Sequence, residues 1–288
     1  MEVALVSGVN GIVLSAIYIM VALGFALLLS IMGIFNFAHG AIYMIGAYVT
    51  YGLAQSAGLN QWAALLLSMI IMGAFGIFLE KFCLRPFSGN ANGVIVMSIA
   101  LVLILETGVI ISPVGGSTRA LPAFVPGDIK FLGVSVTRDR LITLTICVIL
   151  LIIMTFFIQR TKMGQQMLAV SQDREGAALQ GININRTAAI AMVIACILAA
   201  LSGSLMSSLL VLDPFMGDNM LMKAIEVVIL SGIGSIGGIL AGGLIVGLMD
   251  AILPLVLPNP LIAQAITIGV IILILLIRPK GLFGYELL

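Results

Sequence analysis

Residues 8–31 form one apolar run, enough to cross a bilayer at about 20 residues per helix. Runs of the same kind recur at about 34–56, 62–82, 93–112, 141–159, 188–212 and 260–277, with a Gly-rich apolar region at 223–257. A soluble domain carries roughly a quarter charged residues. This chain of 288 residues is 9% charged and 61% hydrophobic, with a mean hydropathy of +1.27. No soluble core could hide so much apolar surface, so the fold class is all-α, a polytopic membrane protein of about eight transmembrane helices. A transmembrane β-barrel would alternate in segments of about ten residues, and these runs are continuous.

The polar intervals divide the runs. Ser56–Gln61 reads as a short turn, with Trp62 where an interfacial aromatic belongs. Glu80-Lys81 closes the third run, and Arg85-Pro86 with Gly89-Asn90 marks a turn over 83–92. A long loop, 113–140, contains Pro113, Gly115-Gly116, Pro122, Pro126-Gly127 and the alternating stretch 129–136, which predicts a small hairpin. A second polar loop covers 160–187.

Lys81, Arg85, Arg160, Lys162, Arg174 and Arg186 fall on one side, against Arg119, Lys130, Arg138 and Arg140 on the other. That bias places 160–187 in the cytoplasm and the N-terminus outside. For Arg278 and Lys280 to share the cytoplasmic side, the region after residue 222 must cross an odd number of times. Lys223–Gly234 and Ile236–Leu257 then form two limbs of a hairpin. The first limb, about twelve residues or roughly 18 Å long, is too short to span alone and reads as a half-helix or re-entrant segment.

Several function classes drop out. A net charge of +1 offers no electrostatic case for nucleic acid. Cys83, Cys147 and Cys196 are scattered and show neither metal-ligand nor disulfide spacing. A single histidine and the absence of nucleophile-elbow, zinc-protease and phosphate-loop patterns leave no catalytic or metal site, so the chain reads as a non-enzyme. It holds no cofactor of its own, and any ATP-driven work needs partner subunits. With no Lys or Arg before Lys81, the basic region of a secretory signal is missing, and the first apolar run is expected to stay in the mature protein.

Three stretches stand out from plain hydrophobic anchors. Residues 33–52 carry Asn36, His39, Gly40 and Tyr43 inside an apolar context, with further glycines at 33, 46 and 52 and tyrosines at 48 and 51. Polar groups at depth must find a partner or line water. Asn36 and His39 therefore either tie helices together, at about 0.6 kcal/mol per bond, or touch a substrate. Residues 169–183 predict a short cytoplasmic helix, acidic at its start and ended by Gly181. Such a helix is shaped for a groove on a soluble partner, or is an ordinary solvated loop. Gly234, Gly238 and Gly242 repeat every four residues beside Gly237, as do Gly243 and Gly247, which suits close packing or a hinge. Glu106, Glu226 and Asp250 look solitary and near helix ends, so interfacial placement competes with a role in a proton relay.

Gly33-Ile34-Phe35-Asn36-Phe37-Ala38-His39-Gly40, followed by Tyr43-Met44-Ile45-Gly46-Ala47-Tyr48, closely resembles the signature of the LivH-type permeases. These are inner-membrane subunits of ABC importers for branched-chain amino acids. Asp173-Arg174-Glu175-Gly176-Ala177-Ala178-Leu179-Gln180-Gly181-Ile182 resembles that family's coupling segment, with Gly176 departing from the Ala of the wider importer pattern. Residues 232–238 and 278–284 also look like family features. The resemblance implies one permease domain over 1–288 in the bacterial inner membrane, forming half of the translocation path. It implies a second related permease subunit, two cytoplasmic ATPase subunits that use the ATP, and a periplasmic substrate-binding protein. Asp173, Arg174, Glu175, Ala177, Ala178 and Gly181 would couple to an ATPase. Asn36, His39, Gly40 and Tyr43 would line the path or organise its helices, with helix organisation favoured. Relatives serving urea or amides, and a stand-alone ion-coupled transporter, are the competing readings.

Overall fold

The computed structural model describes residues 2–33, 35–114, 118–131, 134–232, 234–257 and 259–283. Ile34 of the signature, Gly115-Gly116, residues 132–133 of the hairpin, Ile233 and Gly284 lie outside the described residues. The helices in chain order are α1 (Glu2–Met32), α2 (Ala38–Gln55), α3 (Gln61–Phe78), α4 (Ala91–Ile111), α5 (Arg138–Arg160), α6 (Lys162–Gln172), α7 (Arg174–Leu179), α8 (Ile184–Leu209), α9 (Met216–Ser231), α10 (Ile236–Val256) and α11 (Pro260–Ile277). A π-helical turn, Leu79–Leu84, and a 3₁₀ turn, Arg85–Phe87, prolong α3. Strands β1 (Arg119–Ala120), β2 (Asp128–Phe131), β3 (Val134–Thr137) and β4 (Val211–Leu212) are short. β1 pairs antiparallel with β4, and β2 with β3.

Among the described residues seven helices are long and apolar enough to cross a membrane: Val6–Met32, Gln61–Phe87, Ala91–Ile111, Arg138–Arg160, Ile184–Leu209, Gly237–Val256 and Pro260–Ile277. The protein is therefore an all-α, multi-pass inner-membrane protein. α2 and α9 fall outside that set for different reasons. α2 has 18 residues but dilutes its apolar content with His39, glycines and hydroxyls. α9 has 16 residues, about 24 Å of helix, and turns through Gly232 and Gly234, both at positive φ, into α10. Ser235 then caps α10 by accepting from the Gly238 N–H at 3.0 Å.

The contacts resolve two compact units. The first comprises Gly24–Pro122 and Ile152–Leu221. In it α2 packs on α3, α4 and α8, and α3 also packs on α8. Over its apolar 18-residue stretch α8 is 72% enclosed, whereas α4 is 28% enclosed. α4 accordingly turns Val96, Leu103, Ile104 and Ile111 outward as lipid-facing side chains. The second unit comprises Met1–Leu23, Ala123–Leu151 and Met222–Leu288. There the chain beyond α11 returns to the end of α9: the Leu282 N–H donates to the Leu230 carbonyl at 2.9 Å and the Phe283 N–H to the Ser231 carbonyl at 3.1 Å.

Candidate functional site

The signature stretch becomes the entrance and body of α2, and its residues are buried. Asn36 is 2% exposed and His39 fully enclosed. Asn36 Oδ1 accepts from the Ala38 N–H at 3.1 Å and its carbonyl from the His39 N–H at 3.2 Å, which starts the helix. Among the described residues Asn36 Nδ2 is a buried donor with no partner, an arrangement that costs about 1–3 kcal/mol unless something else accepts from it. The His39 ring lies 5.9 Å from that of Phe25 and directly beneath Gly24.

Small residues let α2 approach its neighbours backbone to backbone. A methyl group at Gly40 would collide with the Gly217 carbonyl, one at Gly46 with the Ala200 backbone, and one at Gly203 with the Tyr43 carbonyl. Tyr43 is 1% exposed at that crossing. Hydroxyls tie the seam where it lacks volume. The Gly46 carbonyl accepts from Thr50 at 3.1 Å, Ser68 at 3.0 Å and Ser204 at 3.4 Å, and Thr50 and Ser204 share a 2.7 Å bond. Asn36, just ahead of α2, and His39, Gly40 and Tyr43 within it thus lie along one stretch that meets α1 at Phe25, α9 at Gly217 and α8 at Gly203.

The stretch 173–182 lies within the same unit, apart from α2. Asp173 Oδ1 caps α7 by accepting from the Glu175 N–H at 3.1 Å and the Gly176 N–H at 2.9 Å. A methyl group on Gly176 would meet the Asp173 carboxylate, so an alanine there would require that capping side chain to shift. Gly181, at φ 83°, ends the helix, with the Ile182 N–H bonded to the Ala177 carbonyl at 3.1 Å. Ala177 is buried while Arg174, Glu175 and Ala178 are exposed. Leu179, which composition and charge gave no reason to single out, is 88% exposed. Arg174 and Asn185 line a crevice with Met32, Glu80 and Arg85. In that crevice Arg85 grips Glu80 through two bonds of 2.9 and 2.6 Å. The π turn makes that grip by bringing residues five apart onto one face.

The glycines of the third stretch divide. Gly238 and Gly242 abut Ser231 and Val227 of α9, whereas Gly234 and Gly237 have open space around them. The carboxylates depart from the sequence reading. Glu106 lies beside Asp218, and Glu226 and Asp250 both bind Lys223. None is solitary, because their partners sit on other helices or a turn away, which a reading for chain neighbours passes over.

A family model described as "Branched-chain amino acid transport system / permease component" matches residues 7–276. The chain belongs to this family. Among its relatives are the high-affinity branched-chain amino acid transport system permease protein BraD of Pseudomonas aeruginosa, 31% identical over 96% of this chain and 94% of that one. The corresponding permease protein LivH of Escherichia coli K12 is 30% identical over the same shares. A solved structure, PsaBC from Streptococcus pneumoniae in complex with Fab, superposes with a TM-score of 0.51 at 16% identity, covering 94% of this chain and 91% of that one. That similarity is one of fold. As a member of the branched-chain permease family, the chain is a membrane-spanning subunit of an ABC importer.

Proposed function

We propose that this subunit forms half of the translocation path for branched-chain or other aliphatic amino acids. The observation that carries the reading is the family match over nearly the whole chain, with relatives of that named specificity. Both compact units serve one permease domain over 1–288. A second related permease completes the path, two cytoplasmic ATPases drive it, and a periplasmic binding protein delivers the substrate.

In this reading α7 is the coupling helix and docks on an ATPase through Asp173, Arg174, Glu175, Ala178 and Leu179, with Ala177 and Gly181 fixing its shape. Its capped ends and exposed leucine support the role: a short rigid helix transmits displacement, and an apolar knob suits a groove. Asn36, His39, Gly40 and Tyr43 organise the helices beside the path, and the unpaired Asn36 Nδ2 is the group best placed to meet a substrate or water. Gly238 and Gly242 close-pack, and Gly234 and Gly237 give the α9–α10 turn freedom to hinge. Tagged protein purified in gentle detergent is expected to bring down an ATPase subunit. Recovery of the chain with no ATPase, and uptake driven by an ion gradient, would instead make it a stand-alone secondary transporter.

A further inference from the structure

In the unit of Met1–Leu23, Ala123–Leu151 and Met222–Leu288, three helices bring four polar side chains together within the apolar span. α10 lies antiparallel on α1, with Gly243 against Ile19, Gly247 against Ser15, and Gly11 against Leu248 and Ala251. On this seam Asp250 accepts from the Tyr18 hydroxyl through Oδ2 at 3.0 Å and from Lys223 Nζ through Oδ1 at 3.1 Å. Lys223 also donates to Glu226 Oε2 at 3.1 Å. Asp250 and Lys223 stand about 10 Å, roughly two turns, inside the ends of α10 and α9. By the basic-residue bias those ends face the outer side.

The bonding is incomplete in a specific way. An ammonium group has three donors, and the two carboxylates occupy two of them. Asp250 uses both oxygens, whereas among the described residues Glu226 is bonded through Oε2 alone. One N–H donor and one carboxylate oxygen are left side by side. Asp250 by itself neutralises Lys223, so Glu226 adds a surplus negative charge. A purely structural tie gains nothing from a surplus charge, because burial penalises it. Lys223 and Glu226 side chains each keep 12% exposure and Asp250 17%. Charged groups that stay exposed at this depth do not face hydrocarbon, so their opening meets water or a polar ligand.

We propose that Lys223 and Glu226 form a head-group site for a zwitterion. The ammonium of a free amino acid sits on Glu226 Oε1, and its carboxylate takes the third N–H of Lys223. Asp250 and Tyr18 are positioning residues that hold Lys223. This site rests on the amino-acid reading of the substrate.

The test is saturation-transfer NMR on the permease–ATPase complex in nanodiscs without binding protein. The probes are leucine, 3-methylbutylamine (no carboxylate) and 4-methylpentanoate (no amine). Leucine should give a saturable signal that falls at least fivefold in Glu226→Gln and in Lys223→Gln. 3-Methylbutylamine should weaken only in Glu226→Gln, and 4-methylpentanoate only in Lys223→Gln. Glu226→Asp should recover part of the leucine signal. The site is overturned if wild type shows no saturable leucine signal, if the variants leave it unchanged, or if both variants weaken all three probes alike, as a structural clamp would. Uptake by the wild-type complex with binding protein separates the two levels. Leucine uptake without the NMR pattern removes only this site, whereas no leucine uptake removes the amino-acid reading itself.

Discussion

Two glycine-lined seams in this protein solve the same packing problem differently. Where α2 meets α8, Gly46 and Gly203 admit the neighbouring backbone, and the polar atoms present are neutral hydroxyls bonded to one carbonyl. Where α1 meets α10, Gly243 and Gly247 do the same, but the seam also carries Tyr18, Asp250 and, from α9, Lys223 and Glu226. Close approach in a membrane needs only small residues and satisfied hydroxyls. The charges of the second seam are therefore surplus to packing and call for a separate reason. The first seam is a fastener. The second is a fastener with a polar opening.

The largest effects should come from filling either seam. Gly46→Leu drives a side chain into the Ala200 backbone and Gly247→Leu drives one into Ser15. Overpacking costs about 1–3 kcal/mol and more where backbone must move. Both variants should lose most of the assembled complex on size-exclusion chromatography, and survival of one alone would show that the seams differ in tolerance. Next come variants that spare both seams. Gly181→Pro cannot adopt φ 83°, and Glu175→Lys reverses a charge on α7. Each should abolish ATP-driven uptake with membrane insertion unchanged, and normal uptake by both would remove the coupling role. His39→Leu should lower uptake severalfold while the complex still assembles; unchanged kinetics would reduce His39 to packing. The smallest effect belongs to Thr50→Val, which removes one neutral interhelical tie, to Ser204, worth about 0.6–1.7 kcal/mol. Its thermal shift should be slight and should not add to that of Ser204→Ala, since the two hydroxyls share one bond.

The spans were readable because hydropathy is a local property. Residues 8–31, 93–112 and 260–277 fall within a few residues of α1, α4 and α11. The short limb before Gly234 was readable only in part: about twelve residues from Lys223 were expected, whereas α9 starts at Met216, taking in Gly217-Asp218-Asn219, and runs for 16 residues. Less visible were groups whose meaning lies in a partner distant along the chain. Lys223 and Asp250 are joined across two helices, and nothing in their spacing announces it. Gly176 read as a departure from pattern, and only the structure shows it packed against the capping carboxylate of Asp173. Leu179 looked like an ordinary helix residue until its exposure was known, and the open donor of Asn36 depends on which atoms surround it.

The most direct test of the account is uptake of labelled leucine, urea and acetamide by the reconstituted complex of both permeases, both ATPases and the binding protein. The account predicts ATP-dependent accumulation of leucine, with urea and acetamide at background. Accumulation of urea or acetamide with leucine at background would contradict it.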